Sequence, residues 1–458
     1  MQKCIVFACL MPVQATRLCS NLRTDSDGAH HVSTRVHAMQ LTAEPSQATR
    51  SSKKGTWMHA VTIRLPLEIL TAIVNELDDL QDVRNVRMAS HALCAAATPT
   101  AFPALSVIAT KRSAQNLGQL FNIPDIAAHV RTVSFHDMGT TDRKGRTVNY
   151  GASSLRRPMN NHELPLHLRW RVMSVRSHAV HELASSFSRI HQLSRLETIK
   201  LTFNSTYDDS NRVDSNKGSR LALQASILNA LAASFGVCIP PKLTLLSIQN
   251  LRPSDFSSLE SPPFQKFLTT MPRLQLSVLF DSFPPRDTFY ERWCDFWSSF
   301  CPRMILAPAQ HSLTELTLHS DIFLHASSGM SLAGLHFPRL CALSLRNFDF
   351  DPPVGVKPFI LRHAATLGGL ELLACKLTHL GPFTALGLWE TIWDQFAEEL
   401  ISLVVLRIDR PEYSNIPSGN RLPCFPTDFA ALERFRAAVA TRSEMRGTLS
   451  EERGSMTP

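Results

Sequence analysis

The stretch that decides the fold is LTELTLHS at residues 313–320, because its spacing returns twice further along the chain. LCALSLRN begins at Leu340 and LGGLELLACKL begins at Leu367, and in each copy leucines stand at the first, fourth and sixth positions. The first leucines of the three copies are 27 residues apart. A fixed period of about 20 to 50 residues is typical of an architecture built from stacked units. We therefore predict one short strand in each copy.

Looser copies of the pattern surround these three segments, and amphipathic helices are predicted between several of them. The looser copies are VRTVSF (130–135), LETIKL (196–201), LTLLSI (243–248), PRLQLSVLF (272–280) and LVVLRI (403–408). The helical stripes, such as Trp389, Trp393 and Phe396, need a neighbouring unit to complete their burial. The predicted fold class is α/β, with residues 107–445 forming an irregular leucine-rich-repeat solenoid around a parallel sheet.

The C-terminal part of the chain is predicted to close this stack. FAALERFRAAVATR (429–442) places Phe429, Leu432, Phe435 and Val439 at helical spacing, which predicts a closing helix. Residues 446–458 are predicted to form a flexible tail.

The predicted strands also indicate a binding surface. When the leucines of L-x-x-L-x-L face the core, period-two alternation turns the intervening residues to the opposite side of the sheet. The predicted substrate-binding residues on that side are Glu315, Thr317, His319, Ser344, Arg346, Glu371, Arg407 and Asp409. Their mixed charges suit a protein partner better than a nucleic-acid backbone.

A compact helical block precedes the repeats. LPLEILTAIVNELDDLQDVRNVRMASHALCAAATP (65–99) spaces its apolar residues for helices, and Pro66 and Glu68 suit the first helical turn. Ser90 is predicted to cap a third helix that stops before Pro99. Three such short helices bury too little surface to be stable alone. The block should therefore lean on a neighbouring unit or on a partner.

This block resembles an F-box, the three-helix module by which substrate receptors of SCF-type ubiquitin ligases dock onto a Skp-family adaptor. The resemblance rests on LPLEIL (65–70), Ile73, Leu77, DVRNVRMAS (82–90) and HALCAAATPTAFPAL (91–105). Residues 58–106 are assigned to the module on this basis. The resemblance implies adaptor binding by Leu65, Pro66, Glu68, Ile69, Leu70, Ile73, Val83 and Val86.

The same resemblance implies a non-catalytic subunit, joined through the adaptor to a cullin, whose repeats bind an unknown protein substrate. Two alternatives stay open. The chain could be a leucine-rich-repeat interaction scaffold, unrelated to ubiquitin, with a degenerate F-box. It could also be an enzyme with a dispersed site, such as a hydrolase, because its 18 histidines and many carboxylates are scattered.

Composition and motifs narrow the kinds of cofactor, partner and location that we expect for this protein. The sequence has no H-E-x-x-H, no G-x-S-x-G and no phosphate-binding loop, and its ten cysteines form no C-x-x-C pair, so neither a metal nor a cofactor is expected. Of the net charge of +8, five charges lie in residues 1–64, of which residues 1–57 are predicted to be a disordered leader. The rest of the chain is only mildly basic and shows no clustered basic face, so no nucleic-acid partner is expected. Without a long apolar segment, we expect no membrane partner and a cytoplasmic or nuclear location.

Overall fold

The computed structural model describes residues 65–137, 179–204, 215–253, 257–280, 287–379, 388–409, 411–415, 421–422 and 424–454. The predicted leader, residues 1–57, lies outside this part of the chain. The described chain divides into two compact units, and the boundary between Ala97 and Thr98 lies inside helix α3 (His91–Ala101).

The N-terminal unit contains α1 (Leu67–Asn75), α2 (Leu80–Arg87) and the first part of α3. Pro66 stands at the N-cap of α1 rather than in its first turn. Ser90 Oγ accepts a hydrogen bond from the Leu93 N–H at 3.2 Å, which confirms the predicted cap. The prediction that α3 stops before Pro99 is wrong, since the helix continues to Ala101. Pro99 lacks an N–H and so loses one hydrogen bond to the preceding turn, but the fixed φ of proline is compatible with a helix, so the helix can continue through it.

The second unit is mixed α/β and is built around nine parallel strands in the order β1-β2-β3-β4-β5-β6-β7-β8-β10. Their bounds are β1 Ala104–Ile108, β2 Thr132–His136, β3 Thr198–Thr202, β4 Leu245–Leu251, β5 Arg273–Val278, β6 Glu315–Leu324, β7 Ala342–Phe348, β8 Gly369–Leu373 and β10 Val405–Asp409. Every predicted copy of the pattern forms one of these strands. Strand β1 was missed, because its sequence had been assigned to the helical module that ends at residue 106.

The strand register places equivalent repeat positions side by side. One row consists of Val133, Ile199, Leu246, Leu274, Leu316, Leu343, Leu370 and Leu406, and the next consists of Phe135, Leu201, Ile248, Leu276, Leu318, Leu345, Leu372 and Ile408. All of these side chains are buried except Leu406 and Ile408, which are half-buried in the last strand. We call this side of the sheet the inner face and the opposite side the open face.

Helices pack against the inner face. Residues 179–187 form α6, and Phe187 in this helix meets Phe135 of β2 edge to face at 5.9 Å between ring centroids. Further along, Trp297 meets Phe348 of β7 at 6.1 Å. The other helices are α4 Lys111–Leu120, α5 Pro124–Ala127, α7 Ser215–Val237, α8 Ser257–Glu260, α9 Pro262–Leu268, α10 Asp287–Asp295, α11 Ala307–Ala309, α12 Val356–Arg362, α13 Trp389–Glu399 and α14 Pro426–Gly454, with a π-helix at Phe296–Leu306 and 3₁₀ turns at Ile190–Gln192 and Ala326–Ser328.

The C-terminal end combines a small second sheet with α14. This sheet consists of β9 (Lys376–His379), β11 (Glu412–Asn415) and β12 (Arg421–Leu422). In α14 the predicted core positions Leu432, Phe435 and Val439 are buried.

Two details of the predicted closing helix differ from the structure. Phe429 is exposed, because the preceding Asp428 points inward and adjacent helical residues point about 100° apart. The helix also runs on to Gly454, into the segment predicted as a flexible tail. That segment, TLSEERG, contains good helix formers, which explains the continuation.

Candidate functional sites: an exposed helix surface and the open face of the sheet

Helix α1 and the residues before it present apolar side chains to solvent. Leu65, Leu67, Ile69 and Ile73 are 44–51% exposed. Ile69 and Ile73 are four residues apart, so they lie on one side of the helix. Pro66 and Glu68 are exposed beside them. We call Leu65, Leu67, Ile69 and Ile73 the α1 surface.

The other predicted adaptor residues face inward to different degrees. Val83 in α2 is fully buried, while Leu70 and Val86 are half-buried. Val74 of α1, which was not among the predicted adaptor residues, is also fully buried. The single apolar stripe that the sequence suggests is therefore divided between an inner row and the exposed α1 surface. Val83 stabilises the helical unit and, as placed, offers no surface to a partner. Leu67 and Met88 are exposed apolar residues that the sequence analysis missed.

The open face brings the predicted substrate-binding residues together. The register aligns Thr317, Ser344, Glu371 and Arg407 in one row, and His319, Arg346, Leu373 and Asp409 in the row above it. Glu315 belongs to a third row, below them. All eight predicted residues thus lie on neighbouring strands of one surface.

Four of these side chains form a continuous hydrogen-bonded chain across the strands. The Ser344 hydroxyl donates to Glu371 Oε2 at 2.5 Å, and Arg407 Nη1 donates to Glu371 Oε1 at 2.8 Å. His319 Nε2 lies 3.0 Å from Ser344 Oγ. Since Ser344 gives its only proton to Glu371, the His319 Nε2–H must be the donor to Ser344 Oγ. We call His319, Ser344, Glu371 and Arg407 the polar ladder.

The surroundings of His319 favour its neutral form. Burial lowers the pKa of His319 first, and the nearby Arg346 lowers it further, while Glu371 acts in the opposite direction. With the proton on Nε2, the other ring nitrogen of His319 is a hydrogen-bond acceptor. The ladder therefore fixes the orientation of its side chains before any partner binds, which reduces the entropy lost on association.

The ladder contains the residue types of a serine hydrolase in a different order. In a catalytic triad the histidine stands between serine and carboxylate and accepts the serine proton. Here Ser344 stands between His319 and Glu371 and gives its proton to the carboxylate. The arrangement orients Ser344 rather than activating it through an imidazole, so the geometry favours binding.

Metal and thiol chemistry find little support in the described part of the chain. No group of three or more His, Cys, Asp or Glu side chains there is placed to hold a metal ion. Burial raises the pKa of the Cys375 thiol to about 12 and also raises the pKa of Cys301, so both thiols are protonated and unreactive at neutral pH. Among the described helices, none combines the length and apolar character required to cross a bilayer.

Comparison with known proteins leaves these surfaces as the main source of functional information. No protein-family model matches the chain, and no curated protein sequence matches it.

Proposed function

We propose that this chain is the substrate-recognition subunit of an SCF-type ubiquitin ligase. In this proposal the helical module binds a Skp-family adaptor, and through it a cullin, while the sheet unit binds a protein substrate. The observation that carries the proposal is the α1 surface, where Leu65, Leu67, Ile69 and Ile73 are 44–51% exposed. Clustered apolar side chains of this kind mark interaction sites more often than isolated ones do.

A helix docked in an apolar groove would bury the α1 surface. Ile69 and Ile73 have the spacing by which helix-in-groove partners read one side of a helix. Fully burying an exposed Leu or Ile side chain is worth about 1.5–3 kcal/mol, and because these four are 44–51% exposed, about half of that is available for each on docking. The resemblance to an F-box identifies the kind of groove, that of a Skp-family adaptor.

We further propose that the sheet unit is a leucine-rich-repeat solenoid. Its strands follow one another in chain order except that β10 replaces β9 at the end, and their apolar rows are in register. Asn250, Asn347 and Ala374 also share one repeat position and one backbone conformation, with φ between 49° and 60°. A repeated irregularity of this kind supports a repeated structural unit.

The proposed role requires no catalysis by this chain. The open face would hold a substrate protein, and the adaptor would place that substrate near an enzyme charged with ubiquitin. Holding two reactants together can supply several kcal/mol of the reaction barrier.

The test is binding of the purified chain to a recombinant Skp-family adaptor. We expect the double variant Leu65→Asp, Ile69→Asp to weaken binding by about a hundredfold or more, because each charge would be desolvated at the interface. The matched control is Val237→Asp, which places the same charge at another exposed apolar residue, 71% exposed at the end of α7. Calorimetry or biolayer interferometry measures the affinity for the adaptor of the wild type, the double variant and the Val237→Asp control.

Two results would contradict the proposal. Equal adaptor binding by the double variant and the wild type would exclude the α1 surface. Absence of adaptor binding by the wild type would favour the second candidate, an interaction scaffold unrelated to ubiquitin.

A further inference from the structure

The third row of the open face includes two small residues between β6 and β10. The register aligns Glu315, Ala342, Gly369 and Val405 on β6, β7, β8 and β10. Two small residues thus lie between a carboxylate and an exposed valine. We call these four residues the slot.

Nothing inside the described chain requires glycine at position 369. Its φ is not positive, since the glycines with positive φ are Gly329 and Gly355. A Cβ built on Gly369 would lie 3.7 Å from the Ala342 Cβ, which is ordinary van der Waals contact. Glycine inside a strand usually weakens it and often marks a place where another backbone approaches closely. The consequence of Gly369 is therefore an open floor in the slot.

Along one side of the slot, the polar side chains already form hydrogen bonds with one another. The polar ladder runs along the adjacent row, and both carboxylate oxygens of Glu371 accept hydrogen bonds within it. Arg346 and Asp409 carry opposite charges on the far side of the polar ladder.

The two ends of the slot differ in chemistry. Glu315 is exposed and has no ion pair among the described residues, because its neighbour Arg273 turns away and donates to Thr244 Oγ1 at 2.8 Å. At the other end Val405 is 64% exposed. One end of the slot is therefore negatively charged, at Glu315, and the other end is apolar, at Val405.

We propose that the slot binds an extended segment of a partner protein that places a Lys or Arg against Glu315 and an apolar side chain against Val405. Neighbouring strands are about 4.8 Å apart, so Glu315 and Val405 are separated by about 14 Å. An extended chain covers this distance in about four residues. This inference rests on the proposed function, since it defines the class of substrate that the open face recognises.

The test uses the purified full chain and a phage-displayed library of random 12-residue peptides. We expect enrichment of peptides with a basic residue followed or preceded, about four positions away, by an apolar one. Gly369→Leu fills the slot and should weaken binding of these peptides by about tenfold or more, with an unchanged or raised Tm. Thr198→Leu is the matched control, because Thr198 lies in the same row on β3, away from the slot.

If Gly369→Leu lowers the Tm, the variants Glu315→Gln and Val405→Asp provide the test instead. Both positions are exposed, so these substitutions should not disturb the fold. Each should weaken peptide binding by about tenfold. Failure to enrich peptides, enrichment of acidic peptides, or equal binding by the wild type and all three slot variants would overturn the inference.

Adaptor binding, measured on the same preparations, separates this inference from the proposed function. Peptide binding without adaptor binding would support the slot and contradict the ligase role. Adaptor binding without peptide binding would contradict the slot and support the ligase role.

Discussion

At the scale of single residues, one repeat position adopts a left-handed backbone in three of the repeats. Asn250 and Asn347 each have φ 60°, and Ala374 has φ 49°. The two asparagines offset the strain, because Asn250 Nδ2 donates to the Phe203 carbonyl at 2.8 Å and Asn347 Nδ2 donates to the Ser320 carbonyl at 2.6 Å. Each accepting carbonyl belongs to the preceding strand's unit. Alanine has no such donor and pays the steric cost of this conformation.

Ala374→Asn is therefore expected to stabilise the protein. The new amide can donate to the Asn347 carbonyl, the equivalent acceptor in the preceding unit, and asparagine tolerates φ > 0 better than alanine does. We expect a gain of about 1 kcal/mol, the usual worth of one hydrogen bond. Ala374→Val should instead lower stability, because a β-branched residue fits this conformation poorly. Thermal unfolding of the three proteins checks the order Asn, Ala, Val, and a valine variant as stable as the asparagine variant would contradict it.

At the scale of secondary-structure elements, one buried carboxylate joins α13, β11 and α14 near the end of the chain. Asp428 in the first turn of α14 is 1% exposed. It accepts hydrogen bonds from the Glu390 N–H of α13 at 2.9 Å, from the Phe425 N–H at 2.7 Å and from the Tyr413 hydroxyl of β11 at 2.9 Å. Burial raises the pKa of Tyr413, so its hydroxyl stays a donor at neutral pH. A carboxylate is also favoured at the positive ends of two helices.

Asp428→Asn is expected to lower the free energy of unfolding by about 3 kcal/mol. The substitution removes the charge and turns one acceptor into an amide donor, which faces N–H and O–H donors that then lack a partner. Chemical denaturation measures the loss. The control is Asp394→Asn, which removes another helix-to-helix contact, the pair of Asp394 with Arg434 at 2.8 Å on the surface. Equal stability of the two variants would show that the buried network contributes no more than a surface ion pair.

At the scale of the whole molecule, histidines kept neutral by burial are spread over the sheet unit. Burial lowers the pKa of His129, His136, His319, His325 and His363 below the ordinary value of 6.5. The geometry requires a neutral ring at His363, whose Nε2 accepts from the Phe337 N–H at 2.9 Å and whose Nδ1–H donates to the Phe359 carbonyl at 2.7 Å. Protonation of His363 would replace that acceptor with a donor.

Stability is therefore expected to decrease as the pH falls below 6.5. A histidine whose pKa is lower in the folded state binds fewer protons there than in the unfolded chain, so its contribution is complete above 6.5 and is lost as the pH falls through the folded-state pKa. Tm between pH 7.5 and about 5.5 measures the slope. Burial raises the pKa of Asp321 and Asp351 above 3.8, and these groups act in the opposite direction at lower pH.

His363→Gln should reduce the slope of Tm against pH while lowering the Tm itself. His181→Gln, at an exposed position on α6, should change neither. Equal slopes for the wild type and His363→Gln would show that His363 does not contribute to the acid sensitivity.

Local pattern was sufficient to predict the strands and many of the buried side chains. The leucine spacing located eight of the nine strands of the large sheet, because the period-two alternation of a strand with one buried face is written in consecutive residues. It also predicted that His319, Ser344, Glu371 and Arg407 share one face. Strand β1 was missed because ALSVI lies outside the leucine repeat and directly follows the helical block.

Contacts between residues far apart in the chain could not be predicted from the sequence. The order of the polar ladder, the burial of Val83, the exposure of Ile69 and the meeting of Asp428 with Tyr413 all depend on how complete elements are oriented. Ser344 and Glu371 are 27 residues apart in the chain, and nothing in that separation specifies a 2.5 Å hydrogen bond.

The sequence by itself determined the repeating strands, the row of leucines beneath them and the amphipathic helices, because each of these follows from the spacing of apolar residues along a short segment. Only the tertiary structure decided which polar residues meet, which apolar residues of α1 stay exposed and where the open face has a gap. These features arise from the register between strands and from the side of each element that packing has covered, and both are set by residues far apart in the chain.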